Sequence, residues 1–472
     1  MGISGAKKEN SIKDLIFCWR ALPFFVGVFF YLVYKFGTLS IRLSDSNIYF
    51  VTASHLAKGE ILYRDIFFTN FPLLPYLSVL YYWMLGGNLK MYFFTSAIET
   101  SVVALLIFYV LLREGKSYLL ATISSFVYIF SVLVLITTDH QTGVFLASLF
   151  AVLSYMFLKS EKYFWVGVMC ALMFLVKAYF IPIALTIGVY LFLKKKWKYF
   201  LYFAGGGVGA GVIILLPIFI LAGEEMVAQI FGYSLSRGAG IPKFEIAKFY
   251  IFRDFLFFGI LIFNLVNIKK RLFWGLFSVF SLAFFFFYQD IYYLYLNFTA
   301  PFAALSFPYL YQDMQEKVKM HVFTIPTILG LLFLWNIYVS YSGFYSLGRI
   351  ETIDEIAEIV REQEAEYVYG NNDIAPAISY LSGTPQLNNI VDTNENMFRS
   401  GALDASTLTS DILKNKTVLV LHSAYYPMLG IENDTFSEIV VGEKIQQNCR
   451  LLKRFPVVAE GVTNGLAVFR CF

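Results

Sequence analysis

The densest run of residues able to do acid–base chemistry is SDSNIYFVTASHLAKGEILYRD, from Ser44 to Asp65. Asp45 stands just past a long apolar run, so a helix end would hold its carboxylate at a membrane surface. That address suits proton abstraction from a hydroxyl near a lipid-borne substrate. The same residue type at the same place also serves as a plain helix N-cap. Behind it Ile48, Val51, Thr52, His55 and Leu56 fall on one face at helical spacing and Gly59 ends the pattern, which predicts a short amphipathic surface helix. Asp139 and His140 lie in a short turn facing the same side and could orient an acceptor or cap a helix; Asp290 is a weaker copy. Glu99 lies inside an apolar run, where an ionisable side chain marks a function or a buried partner. Lys177 is the lone basic residue between two short apolar runs, placed either to snorkel to headgroups or to act. Arg237 and Lys243 share a polar connection, and Arg253 stands beside Asp254, with which it could pair.

The elements that would carry these residues are set by hydropathy. Of 472 residues, 58% are hydrophobic and 15% charged, against about 25% charged in soluble domains. A soluble enzyme and a disordered chain are excluded. Eleven apolar runs read as spans: Leu22 to Ser40, Met91 to Leu112, Ser117 to Ile136, Thr142 to Leu158, Tyr163 to Val176, Ile181 to Leu193, Tyr199 to Leu221, Phe249 to Asn267, Leu272 to Phe287, Ile291 to Leu310 and His321 to Tyr341. With the amino terminus cytoplasmic, every basic cluster between them falls inside and the polar tail falls outside. The stretch Tyr163 to Leu193 would rise about 46 Å as one helix, whereas two short spans keep both Lys-rich flanks inside and put Lys177 at an outer tip. The first external loop, 41–90, holds a further apolar stretch, Phe71 to Leu85, too short to span and expected to be interfacial or re-entrant. The connection from Ala222 to about Lys248 reads as polar and mobile.

The chain divides into a membrane module, 1–342, with 27 Lys+Arg against 16 Asp+Glu, and a tail, 343–472, with 10 against 17. The basic surplus sits in short loops, which argues for membrane lipids as partners and against nucleic acid. In the tail, Ile353, Ile356, Ile359 and Val360 repeat at helical spacing behind Thr352, and a second helix is expected at Ala375 to Leu381. Strand-like runs at Tyr367 to Tyr369, Val418 to Leu421, Pro456 to Ala459 and Leu466 to Phe469 predict a small α/β domain. The tail has no Gly-rich phosphate loop, no His-x-x-x-His pair and no CxxC. Four cysteines are too few for a stapled scaffold, and only Cys449 and Cys471 are placed to pair, closing a terminal hairpin.

The order Asp45, Tyr49, Ala53, Leu56, Gly59, Tyr63, Asp65, Pro72, Tyr76 and Gly86 resembles the first external loop of the GT-C superfamily. More narrowly it is similar to the protein O-mannosyltransferase and aminoarabinose-transferase group. Phe174 to Pro182, FLVKAYFIP, and Tyr295 with Pro301 resemble later motifs of that group, so the likeness covers roughly the first 340 residues. The chain departs from the group at Asp45-Ser46, where two acids are usual, and at Asn70-Phe71-Pro72-Leu73, where a Lys or His precedes a Pro-Pro pair.

The resemblance implies an α-helical polytopic GT-C-like enzyme with a small extracytoplasmic α/β domain, in the plasma membrane, taking a sugar from a polyprenyl-phosphate donor. An acceptor hydroxyl attacks in line and inverts the anomeric centre. Asp45 takes the proton, while Lys177, Arg237 and Arg253 stabilise the phosphate in a partly dry site. Asp139, His140, Asp65, Tyr49 and Tyr63 fall to orienting acceptor or substrate. No DxD signature is present, so no cofactor is required, although the acidic residues do not exclude a divalent metal. The acceptor is a protein, a glycan or a glycolipid. Two rivals remain at this stage: a polymerase or ligase of lipid-linked glycans, whose charges would concentrate in a large later loop, and a transporter or flippase, which predicts inverted repeats.

Overall fold

The computed structural model describes residues 18–232, 242–289, 291–318, 324–344, 349–399, 401–422, 424–426, 431–433, 439–456 and 465–472. Arg237 and Asp290 lie outside the described residues, as do residues 457–459 of the expected strand Pro456 to Ala459. The helical part runs α1 Leu22–Gly37, α2 Ser46–Ala57, α3 Leu73–Met84, α4 Leu89–Arg113, α5 Tyr118–Ile129, α6 Val132–Thr137, α7 Val144–Lys159, α8 Tyr163–Val176, α9 Ile181–Leu193, α10 Trp197–Ala222, α11 Lys243–Arg253, α12 Phe255–Val266, α13 Leu272–Phe287, α14 Thr299–Val318 and α15 Thr324–Phe344. Among the described residues four helices are long and apolar enough to cross a membrane: 19–37, α4, α10 and the first 19 residues of α15.

Several expected spans are broken, and each break has a local cause. The run from Ser117 divides into α5 and α6 where Ser131 turns extended and its hydroxyl takes the Val134 amide. The run from Phe249 is not one span: α11 and α12 meet at a 100° bend at Asp254. The carboxylate of Asp254 accepts the amides of Val132 and Leu133 at 3.0 and 2.6 Å, so it caps α6 rather than pairing with Arg253, which ends α11 exposed. The run from Ile291 opens as a 3-10 helix, Tyr293–Phe298, before α14. Part of the connection expected to be mobile is ordered: a helical turn Glu224–Val227 and a π turn Ala228–Gly232 follow α10. The stretch Tyr163 to Leu193 forms two helices, α8 and α9, with Lys177 extended at the break and Pro182 in the first turn of α9, where its missing N–H is tolerated.

The tail adds α16 Ile353–Glu362, α17 Ala375–Ser382, α18 Ala405–Lys414 and α19 Gly442–Asn448 to six strands: β1 Tyr367–Gly370, β2 Thr417–His422, β3 Ala424–Tyr426, β4 Ile431–Asn433, β5 Arg450–Pro456 and β6 Gly465–Cys471. The main sheet has the order β1-β2-β6-β5, parallel at β1-β2 and antiparallel elsewhere. Cys449 and Cys471 are bonded across the β5-β6 hairpin.

The tail is packed onto the first connection. Ile350 donates its amide to the Ile41 carbonyl at 3.1 Å, the amide of Ser44 reaches the Asp373 carbonyl at 3.2 Å, and Phe67 bridges Ile390 as a short parallel ladder. Phe50 of α2 meets Tyr380 of α17 edge to face at 4.8 Å. One hydrophobic core accordingly runs without a break from the helices through Ile356, Val368 and Ile378, and a second lies on the far side of the sheet around Leu419 and Ile445. This cover corrects the expectation for α2. Ser46 to Ser54 are all buried, on both helix faces, because α3 closes one side and α17 the other.

Candidate functional site

Asp45 occupies the N-cap position of α2, yet its side chain makes no cap hydrogen bond. The capping work is done next door: the Ser44 hydroxyl accepts the Ser46 amide at 3.1 Å. Asp45 is exposed at the head of a helix whose next nine residues, Ser46 to Ser54, are all buried. One turn further, Tyr49 is 3% exposed and lies within electrostatic reach of Asp45. Lys177 comes to the same place from the α8–α9 break, donating from Nζ to the Tyr49 hydroxyl at 2.8 Å, with its ammonium 4.7 Å from that ring's centre. Burial first, then the charges of Asp45 and Asp392, hold the Tyr49 phenol well above its ordinary range, so it keeps its own proton.

Two residues of this cluster escaped sequence reasoning. Tyr179, two positions after Lys177, stacks on Tyr295 with ring centres 4.5 Å apart and planes 16° apart, and it also feels Asp45. Asp392 comes from the tail. It is 5% exposed, accepts the Thr69 hydroxyl at 3.4 Å and the Asn394 amide at 3.2 Å, and acts on Tyr49 from the other polypeptide segment. The structure thus gathers Asp45, Tyr49, Lys177, Tyr179, Tyr295 and Asp392 from four segments into one cluster.

Asp139 belongs to a neighbouring ion cluster. Lys35 meets it at 2.9 Å and Arg42 at 3.4 Å, and Lys35 also donates to the Leu135 carbonyl. Burial raises the Asp139 carboxyl, but Lys35 and Arg42 outweigh that and leave it below the usual carboxylate range. His140 bonds the Ser44 hydroxyl at 2.9 Å through Nδ1, and burial, with help from Arg42, pushes its pKa down to about 4. These two residues brace the chain on which Asp45 stands.

Tyr63 and Asp65 shape the first connection. Tyr63 is buried with a φ of 70°, and its hydroxyl donates to the Asn70 carbonyl at 2.6 Å. Gln229, also unsuspected from sequence, ties this loop to the turn after α10 by accepting the Phe68 amide and donating to the Tyr63 carbonyl. Asp65 pairs with Arg64 at 2.9 Å and accepts the Ile61 amide. Glu99 has the buried partners its position called for: the Tyr81 hydroxyl at 2.8 Å and the Gln141 amide at 2.7 Å. Among the described residues no group of three His, Cys, Asp or Glu side chains converges to hold a metal.

Neither a protein-family model nor a curated protein matches the chain. Solved structures do. ArnT from Cupriavidus metallidurans in the apo state superposes with a TM-score of 0.62 at 13% identity, over 95% of this chain and 97% of that one. The same protein bound to undecaprenyl phosphate gives 0.59 at 13% identity over the same shares. Two chains so different in sequence that match end to end share an architecture, tail included. This chain therefore shares the fold of ArnT.

Proposed function

We propose that the protein transfers a sugar from a polyprenyl-phosphate donor to an acceptor hydroxyl at the outer membrane face. The observation that carries this reading is the exposed Asp45 at the head of α2, set one turn from the Tyr49–Lys177 pair. A base and a cation that both lie next to Tyr49 suit an in-line displacement at the anomeric carbon with the lipid phosphate as leaving group. The hydroxyl proton goes to Asp45, the C–O bond to phosphate breaks as the new glycosidic bond forms, and the anomeric centre inverts. Lys177 meets the charge that develops on the departing phosphate, in surroundings where partial burial makes such a contact count for more. Likeness of fold to a protein seen with undecaprenyl phosphate supports the donor class. Asp139 and His140 serve the acceptor side indirectly, Asp139 by holding Arg42 and His140 by holding Ser44, and Arg253 and Arg237 remain further phosphate candidates. The acceptor is a protein, glycan or glycolipid hydroxyl.

The test is transfer of labelled sugar from a panel of polyprenyl-phosphate sugars in membranes, wild type against Asp45→Asn at matched expression. Loss of a general base costs about 10²- to 10⁴-fold in rate. A mutant as fast as wild type would remove Asp45 from the mechanism, and a wild type that transfers nothing would remove the donor class.

A further inference from the structure

Tyr179 poses a question that packing does not answer. Its hydroxyl is shielded from solvent and has no hydrogen-bond partner among the described residues. Other buried tyrosines also lack a bonded hydroxyl, but those of Tyr31, Tyr128 and Tyr250 each lie beside a hydroxyl of Thr138, Ser148 or Thr299 able to take the bond. Tyr179 has instead Tyr295 stacked on its ring, Phe180 at 5.5 Å and the field of Asp45. An unsatisfied buried hydroxyl destabilises the fold, and phenylalanine would keep every ring contact.

The hydroxyl's place explains it. Tyr179 lies in the 3-10 turn Ala178–Phe180 directly after Lys177, and both side chains reach Tyr49, Lys177 by its hydrogen bond and Tyr179 electrostatically. The stack on Tyr295 fixes the ring, so the O–H arrives oriented. A phenol is protonated at neutral pH and donates most strongly to an anion. The geometry points to the Tyr179 hydroxyl as a second hydrogen-bond donor to the lipid phosphate, beside Lys177. The inference rests on the donor reading above and names a residue that binds the phosphate itself, neither the sugar nor the acceptor.

Tyr179→Phe tests it, with undecaprenyl phosphate as the probe and undecaprenol, the same chain without the phosphate, as control. Binding to the purified full-length protein is measured together with the unfolding temperature of the ligand-free form. The variant is expected to unfold at the same or a higher temperature, to lose on the order of tenfold or more in affinity for undecaprenyl phosphate, and to bind undecaprenol as wild type does. Equal affinity of variant and wild type for undecaprenyl phosphate overturns the role of Tyr179 alone. So does a variant that unfolds at lower temperature, because its hydroxyl would then have a partner within the protein. A wild type that prefers undecaprenyl phosphate no more than undecaprenol overturns the donor reading and this inference with it.

Discussion

Residues of one type take different tasks here according to what surrounds them. Asp45 and Asp139 are both carboxylates near the same helix end, yet one is exposed and the other is clamped by Lys35 and Arg42. Lys177 brings a single positive charge to Tyr49, and Lys177→Met removes a charge-assisted contact of about 1.5–3 kcal/mol. A tenfold to hundredfold loss of affinity for undecaprenyl phosphate is expected in an isotherm. His140 predicts a pH effect. Its folded pKa, about 4, lies below the ordinary value of about 6.5. The folded state therefore binds fewer protons in that window, and stability present above it is lost as pH falls through it. Asp139, also held low, acts in the same direction at the acid end. Unfolding temperature should drop between pH 6.5 and 4, and His140→Gln should flatten that slope; an unchanged slope would rule out the imidazole as its source. Asp45 and Lys177 were legible in the sequence because each is a charged residue isolated at the edge of an apolar run. Tyr179 was not, since it is one of 33 tyrosines and nothing in its type separates a stacked ring from a donor hydroxyl.

At the scale of elements, hydropathy located the apolar segments but not their breaks. Phe249 to Asn267 reads as a continuous span because a sliding average does not register a bend, and only the structure shows α11 and α12 meeting at 100°. The bend delivers Asp254 to the start of α6, some 120 residues away in the chain. Asp254→Ala leaves two buried amides without an acceptor at about 1–3 kcal/mol for each group. A lower unfolding temperature in detergent is the expected result, and an unchanged one would mean that water replaces the carboxylate there. The α8–α9 break was legible, because Lys177 and Pro182 five residues apart interrupt any single helix. The burial of α2 was not: its apolar stripe suits a membrane surface as well as a protein one, and its second cover, α17, comes from the far end of the chain.

For the whole molecule, charge and composition separated a basic helical part from an acidic α/β tail. What they did not disclose is that the parts share one core and one site. Asp392 reaches Thr69 across 323 residues of sequence, a separation over which no local pattern carries information. Chain ending before residue 349 would uncover Phe50 and the buried face of α2. Such a truncated protein is expected to aggregate on extraction, judged by size-exclusion chromatography; a monodisperse, equally stable product would show that the tail is dispensable to the fold. Within the tail, replacing Cys449 and Cys471 by serine opens a 22-residue loop and should cost about 3 kcal/mol of tail stability, read as earlier proteolysis of that part.

The contact between Asn47 and the Asp373 backbone spans 326 residues. At roughly 5–20 residues per second of synthesis, the segment bearing Asp45 emerges about 15–65 s before the chain that will enclose it. For that interval α2 holds its apolar side chains in a nascent protein without their final cover. The site is thus completed among the last events of biogenesis, and a ribosome stalled after α15 but before Asp373 leaves a protein with its helices made and its site unfinished.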